Sequence, residues 1–237
     1  KDELEKLKAA GFNAVKHCLY FPPAYYYELC DEMGIVVWQE MPLWLPPNRP
    51  EVIERIYAQY PKMLDIFMHH PSVTLVSLGC ELDSTVGSEV LNDLYTLVKN
   101  ADPNMVVCDN SGSGECYDGV QDAKSDIYDY HFYAELYNLE PLINEFTRSY
   151  RTKKPWLFGE YNDSDTFVPV KRGPDNTLPW WRSADERVNP LRLVHKGFGS
   201  DQPVYYQDEI LAEYGVTDEI ADLDKLSIRQ MDSIRKY

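Results

Sequence analysis

The stretch Leu29-Cys30-Asp31-Glu32-Met33-Gly34-Ile35-Val36-Val37-Trp38-Gln39-Glu40 passes from a helix to a strand across a single glycine. Residues 24–33 place apolar side chains at helical spacing. Gly34 stands where such a helix stops, because glycine enters the left-handed conformation without a Cβ clash. The run Ile35-Val36-Val37-Trp38 then shows no polar alternation, so it reads as a strand buried on both faces, which is the habit of parallel sheets.

The same alternation extends in both directions. Upstream, Asp2 to Ala10 reads as a helix stopped by Gly11, and Asn13 to Leu19 as a strand. Downstream, Pro50 to Met68 is helical, with an interruption expected at Pro61, since proline lacks the backbone donor and clashes with the preceding turn. Val73 to Leu78 follows as a strand, Ser88 to Asn100 as a helix and Met105 to Cys108 as a strand. Beyond a Gly/Ser-rich loop at Ser111 to Gly119 come a strand at Ile127 to His131, a helix at Leu139 to Arg151 and a strand at Trp156 to Gly159. Ala221 to Lys236 reads as an amphipathic closing helix.

Six strands separated by helices imply βαβ units. A doubly wound sheet accepts that count; a (β/α)₈ barrel needs one further strand before Lys1 and one after Tyr237. One segment breaks the rhythm. Residues 161–218 contain five scattered prolines and only one helical-looking stretch, Val204 to Tyr214. A connection of that length within a compact domain serves a function or is disordered, and Trp180-Trp181 with Lys171-Arg172 favour function.

The 237 residues carry a formal net charge of −16, so a nucleic-acid partner is not expected: phosphate affinity needs clustered basic groups. No apolar run reaches the roughly 20 residues of a membrane span, and no membrane partner is expected. Aromatic residues are abundant, with 18 Tyr, 8 Phe and 5 Trp, which suits a cleft that receives sugars or planar ligands. The five cysteines are scattered without a C-x-x-C pair, which argues against a disulfide framework and against a structural zinc site. His69-His70 precedes a strand, away from the end where parallel α/β proteins place chemistry. No metal ligands are assigned, and no cofactor is expected. The sequence assigns no compartment; a secreted or periplasmic location is compatible with it.

In parallel α/β folds reactive groups cluster at the carboxyl ends of the strands. Those ends supply Gln39-Glu40, Cys80-Glu81, Asp109-Asn110, His131 with Tyr133, and Glu160-Tyr161. Glu81 and Glu160 each terminate a very apolar strand, where desolvation is expected to raise a carboxyl pKa toward values useful for proton transfer. They stand three βα units apart, and glycosidases need two carboxylates flanking one bond. Glu40 and Asp109 are further candidates as hydrogen-bond partners in the cleft.

Three blocks together carry a family resemblance: Gly11-Phe12-Asn13-Ala14-Val15-Lys16; the stretch from Leu29 through Glu40 to Met41-Pro42; and His70-Pro71-Ser72-Val73 with Ser77-Leu78-Gly79-Cys80-Glu81. A fourth, Lys154-Pro155-Trp156-Leu157-Phe158-Gly159-Glu160-Tyr161, resembles a nucleophile strand. In this order they resemble the catalytic domain of glycoside hydrolase family 2, which includes β-galactosidases, β-glucuronidases and β-mannosidases. The resemblance implies a (β/α)₈ TIM barrel acting on a carbohydrate substrate, of which this chain is a piece lacking the first and eighth strands.

On that reading residues 1–237 form one catalytic barrel domain with residues 161–218 elaborating the loop after the seventh strand. Accessory β-sandwich domains of the same polypeptide are then expected outside this sequence. The resemblance also implies hydrolysis with retention, Glu81 acting as acid/base and Glu160 as nucleophile. Lys16 stands where the family has Arg, and Cys80 where it has Asn. His131 and Tyr133 match groups that flank the nucleophile. Trp44, Trp180 and Trp181 lie in loops from which an indole can stack on a sugar face. The alternative suggested by Cys80 is a non-catalytic carbohydrate-binding barrel that has lost turnover.

Overall fold

The computed structural model describes residues 1–112, 117–132 and 154–161, with isolated positions at 175, 187, 215, 225 and 228. The chain divides into two compact units, Lys1–His131 with Ser149–Glu160, and Phe132–Arg148 with Tyr161–Tyr237. The described elements belong to the first, apart from the last residue of its two final strands. In the second, Lys225 and Ile228 are helical, inside the expected closing helix. The expected helices at 139–151 and 204–214, the loop 161–218 apart from 161, 175, 187 and 215, and the candidates Tyr133, Trp180 and Trp181 lie outside the described residues.

Helix and strand alternate as α1 (Asp2–Ala9), β1 (Ala14–His17), α2 (Ala24–Met33), β2 (Val36–Glu40), α3 (Pro50–Phe67), β3 (Val73–Ser77), α4 (Ser88–Ala101) and β4 (Val106–Cys108). The strands β5 (Tyr128–Phe132) and β6 (Trp156–Tyr161) follow. The first helix-to-strand turn works as its sequence requires: Gly34 has φ +64° and its N–H closes on the Cys30 carbonyl. Helix α3 departs from expectation, since it runs unbroken through Pro61. Its stripe of Ile56, Tyr60, Leu64 and Phe67 is buried against the sheet, and the Tyr60 hydroxyl donates to the Leu78 carbonyl at 2.5 Å, so tertiary packing outweighs the one backbone bond proline removes.

Strand order separates the two candidate architectures. β1 to β4 pair in sequence order, and every pairing is parallel. A doubly wound sheet reverses its order at a switch point, whereas a barrel adds each strand beside the last. The progression continues past β4, because Cys108 bridges in parallel to Ile127, immediately before β5, and β5 pairs with β6. The result is six consecutive strands of a barrel.

Register aligns the strand ends at one level. His17 lies opposite Gln39, Glu40 opposite Ser77, and Ser77 opposite Cys108. A bulge between Val37 and Trp38 of β2 re-aims the residues that follow. The apolar core sits between helices and sheet, with Tyr27, Cys30, Val37, Phe67, Val76, Leu91, Leu94, Val98 and Val107 buried. Beyond the last strand residues the backbone stays laddered, Trp44 bridging to Cys80 and Cys80 to Ser111.

Candidate active site

Three strand-end segments fix the floor of the site. The Cys80 N–H donates to the Leu43 carbonyl at 2.9 Å, the Glu81 N–H to the Ser111 carbonyl at 2.7 Å, and the Ser111 N–H to the Gly79 carbonyl at 2.8 Å. Held between these neighbours, Glu81 takes φ +48°, a left-handed conformation uncommon for a glutamate. Strain of this kind persists only where surroundings over-determine it, and functional sites concentrate it.

The side chain of Glu81 is held at both oxygens. Oε1 lies 2.8 Å from His131 Nδ1, and Oε2 accepts from the Trp44 indole N–H at 3.0 Å. Trp44, expected in a loop, is 52% exposed, so one edge binds the carboxylate while the rest of the ring faces solvent. The expected upward pKa shift is reversed: the hydrogen bond with His131 outweighs desolvation and holds the Glu81 carboxyl below its usual range.

His131 is the hub. Burial alone would lower its pKa, yet the hydrogen bonds to Asp129 and Glu81, with the nearby Glu160 charge, raise it to about 9. Its Nδ1 lies 3.6 Å from Glu160 Oε2 as well as 2.8 Å from Glu81 Oε1. One imidazole nitrogen thus lies between an oxygen of Glu81 and an oxygen of Glu160. On the other side of the ring, Nε2 lies 3.1 Å from Ser111 Oγ and 3.5 Å from Asp129 Oδ2.

Lys16, on β1, faces Glu160. Its ammonium lies 3.1 Å from Glu160 Oε1, 3.0 Å from Glu40 Oε2 and 2.9 Å from Ser111 Oγ, and 5.0 Å above the Trp38 ring. Burial penalises this charge, but Glu40, Glu160 and Asp129 outweigh it and hold the ammonium charged well above its usual range. Three partners match the three hydrogens of an ammonium. Lys16 therefore orients Glu160, and Glu40 joins the site as its counter-charge. Trp38 serves as packing, its indole N–H bonded to Ser77 Oγ at 2.6 Å.

Cys80 is 3% exposed, its Sγ 3.9 Å from Glu160 Oε1. The interaction with Cys18, then burial, pushes its thiol far above the ordinary range, so it stands there as a neutral, weak donor. Asp109 is buried behind β4, and none of the contacts described for Glu81 or Glu160 reaches it. His70 is structural: its Nδ1 meets Asp31 Oδ2 at 2.6 Å.

The sequence reading passed over Asp129, Ser111 and Cys18. Asp129 is fully buried and accepts from Ser111 Oγ at 2.7 Å, from the Gly112 N–H at 3.2 Å and from the Gly159 N–H. Its signal was present, since it sits two residues before His131 and so on the same strand face. Ser111 follows the strand-end pair Asp109-Asn110. Gly159 is required by the same packing, because a Cβ there would collide with the Asp129 carboxylate and the Trp38 ring.

Comparison with known proteins places this arrangement in context. The family model described as the TIM barrel domain of glycosyl hydrolases family 2 matches residues 1–167. A putative β-glucuronidase of Formosa agariphila is 26% identical over 208 residues, covering 79% of this chain and 19% of its own length. The β-galactosidase BgaC of Bifidobacterium adolescentis is 28% identical over 234 residues, covering 84% of this chain and 22% of its own. Among solved structures, a family 2 β-galacturonidase of Eisenbergiella tayi bound to galacturonate superimposes with a TM-score of 0.56 at 22% identity. That match covers 75% of this chain and 34% of the other. The chain thus spans about a fifth of the length of the curated relatives it matches.

Proposed function

Since the chain belongs to glycosyl hydrolase family 2, with the barrel-domain model matching residues 1–167, we propose that the protein is a β-glycosidase that retains anomeric configuration, with Glu81 as acid/base and Glu160 as nucleophile. The observation that carries this reading is the convergence of both carboxylates on His131 Nδ1, at 2.8 and 3.6 Å. Further domains of the same polypeptide complete the protein, since the chain spans about a fifth of the length of its curated relatives.

Glu160 attacks the anomeric carbon as the bond to the leaving oxygen breaks, forming a glycosyl ester, and the leaving oxygen takes a proton from Glu81. At rest Glu81 is a carboxylate, and the nearest available proton is on His131 Nδ1, 2.8 Å away. His131 therefore supplies the proton that Glu81 hands on. Water then attacks the anomeric carbon of the glycosyl ester, the bond from that carbon to Glu160 breaks and frees the carboxylate, and the water proton returns to Glu81 and His131. Lys16 holds Glu160 in place through its 3.1 Å contact, and Trp44 supplies an apolar face beside Glu81 for the sugar.

The test uses aryl β-glycosides, including β-galactosides and β-glucuronides, with product anomers followed by NMR. A β-configured first product is expected, and Glu160→Gln should remove turnover. Glu81→Gln should cost about 10²–10⁴-fold in kcat on substrates with poor leaving groups. An α-configured first product, or an unchanged rate in Glu160→Gln, overturns the reading. The pairing of Glu81 with His131, which leaves the acid deprotonated, favours a second reading, a carbohydrate-binding barrel without turnover. Calorimetric sugar binding with no hydrolysis of any aryl glycoside would decide for that one.

A further inference from the structure

Hydrolysis as derived above uses carboxylates, an imidazole and an ammonium, yet two thiols also converge on Glu160. Cys18 Sγ lies 3.5 Å and Cys80 Sγ 3.9 Å from the same oxygen, Oε1. Beside them Glu40 is fully buried, and its Oε1 has no hydrogen-bond partner among the described residues. Donor atoms of Cys18, Glu40 and Glu160 all lie within 4.8 Å of one another, as do those of Cys80, His131 and Glu160.

From these donors we propose that Cys18, Cys80 and Glu160, with Glu40 alongside, form a binding site for a thiophilic divalent cation of the zinc type, whose occupancy silences the enzyme. A tetrahedral Zn²⁺, with Zn–S about 2.3 Å and Zn–O about 2.0–2.2 Å, sets a sulfur and an oxygen ligand about 3.6 Å apart. The observed separations of 3.5 and 3.9 Å bracket that edge. The donor set also selects the metal: two soft sulfurs with a carboxylate suit Zn²⁺ or Cd²⁺ and not Mg²⁺ or Ca²⁺.

Binding exchanges two S–H protons, released to solvent, for two metal–sulfur bonds. Zn²⁺ with two thiolates adds no net charge, so it can sit beside the Lys16 ammonium and the His131 imidazolium without repelling either. The cost falls on Oε1 of Glu160, which exchanges its contact with Lys16 for a metal bond and is no longer free to attack a sugar. Cys18 is exposed, which gives the ion an entry path.

The inhibition rests on the role proposed for Glu160; the binding does not. The full-length protein is titrated with Co²⁺ as a spectroscopic stand-in, and Zn²⁺ affinity is read by displacement. A near-ultraviolet thiolate-to-cobalt charge-transfer band saturating at one equivalent is expected, with loss of aryl-glycoside turnover that a chelator restores. Cys18→Ser removes an exposed thiol and should weaken Zn²⁺ by more than about tenfold, because even outer-shell partners cost that much. Absence of the band, or a band and affinity unchanged in both Cys18→Ser and Cys80→Ser, overturns the site. A band that responds to both substitutions in a protein without glycosidase activity keeps the metal site and removes the catalytic reading.

Discussion

Asp129 shows how a buried charge sets the electrostatics of the candidate site around it. It touches neither Glu81 nor Glu160 in the contacts described, yet it faces Nε2 of His131 and helps hold that imidazole protonated up to a pKa of about 9. If His131 carries the proton that Glu81 donates, kcat/KM falls on the alkaline side as His131 deprotonates near pH 9. Asp129→Asn keeps the shape and removes the charge, so the alkaline limb should move toward neutral pH with KM little changed. A pH–rate profile checks this, and an unmoved limb excludes His131 as the proton source. The same groups govern stability. His131 has a folded pKa raised above its ordinary 6.5, so its contribution is complete below about pH 6.5 and is lost as pH rises through 9. Glu81 has a lowered pKa, so its contribution is present above its ordinary 4.5 and is lost as pH falls below that value. The melting temperature should therefore hold a plateau between these limits and fall on both sides, and His131→Asn should flatten the alkaline fall.

At the level of elements, local pattern predicts apolar structure well and polar structure poorly. Gly34 and the run from Ile35 to Trp38 foretell a turn and a buried strand, but the apolar run stops at Trp38 while β2 continues through Gln39 and Glu40, both fully buried. Nothing local announces a buried Gln-Glu pair, because its partners come from elsewhere: Tyr27 and the Tyr20 carbonyl for Gln39, Lys16 for Glu40. As candidates, Glu81 and Glu160 stand out in the sequence because each comes at the end of an apolar run. The bonds that assemble them do not, since Lys16 reaches Ser111 across 95 positions and Glu160 across 144. Pro61 is the reverse case, a strong local signal that tertiary packing overrides. Interior proline costs about 3 kcal/mol relative to alanine, and Pro61 is exposed on α3, so Pro61→Ala should raise stability by an appreciable part of that figure in chemical denaturation. An unchanged midpoint would mean that the local structure of α3 already absorbs the cost of proline. Gly159→Ala tests the opposite situation on β6, where a methyl group enters the space of Asp129 and Trp38. It should cost about 1–3 kcal/mol and most of the activity together.

For the molecule as a whole, charge bears on which sugar arrives. The chain carries −16, and the cleft repeats that bias, with Glu40, Glu81, Asp129 and Glu160 set against Lys16 and His131. Relatives include proteins named β-galactosidase and putative β-glucuronidase, names that imply a neutral and an acidic sugar. Lys16 is the cation beside Glu160, and its three hydrogens are already matched by Glu40, Glu160 and Ser111. An anionic sugar must then approach against the field of the chain, while a neutral sugar meets no such barrier. Raising ionic strength from about 0.01 to 1 M shortens the screening length from about 30 to 3 Å. For a β-glucuronide, kcat/KM should rise over that range, and for a β-galactoside it should stay flat, because steering acts on the encounter of charged partners. A glucuronide rate that falls with salt would place an attractive cation in the cleft.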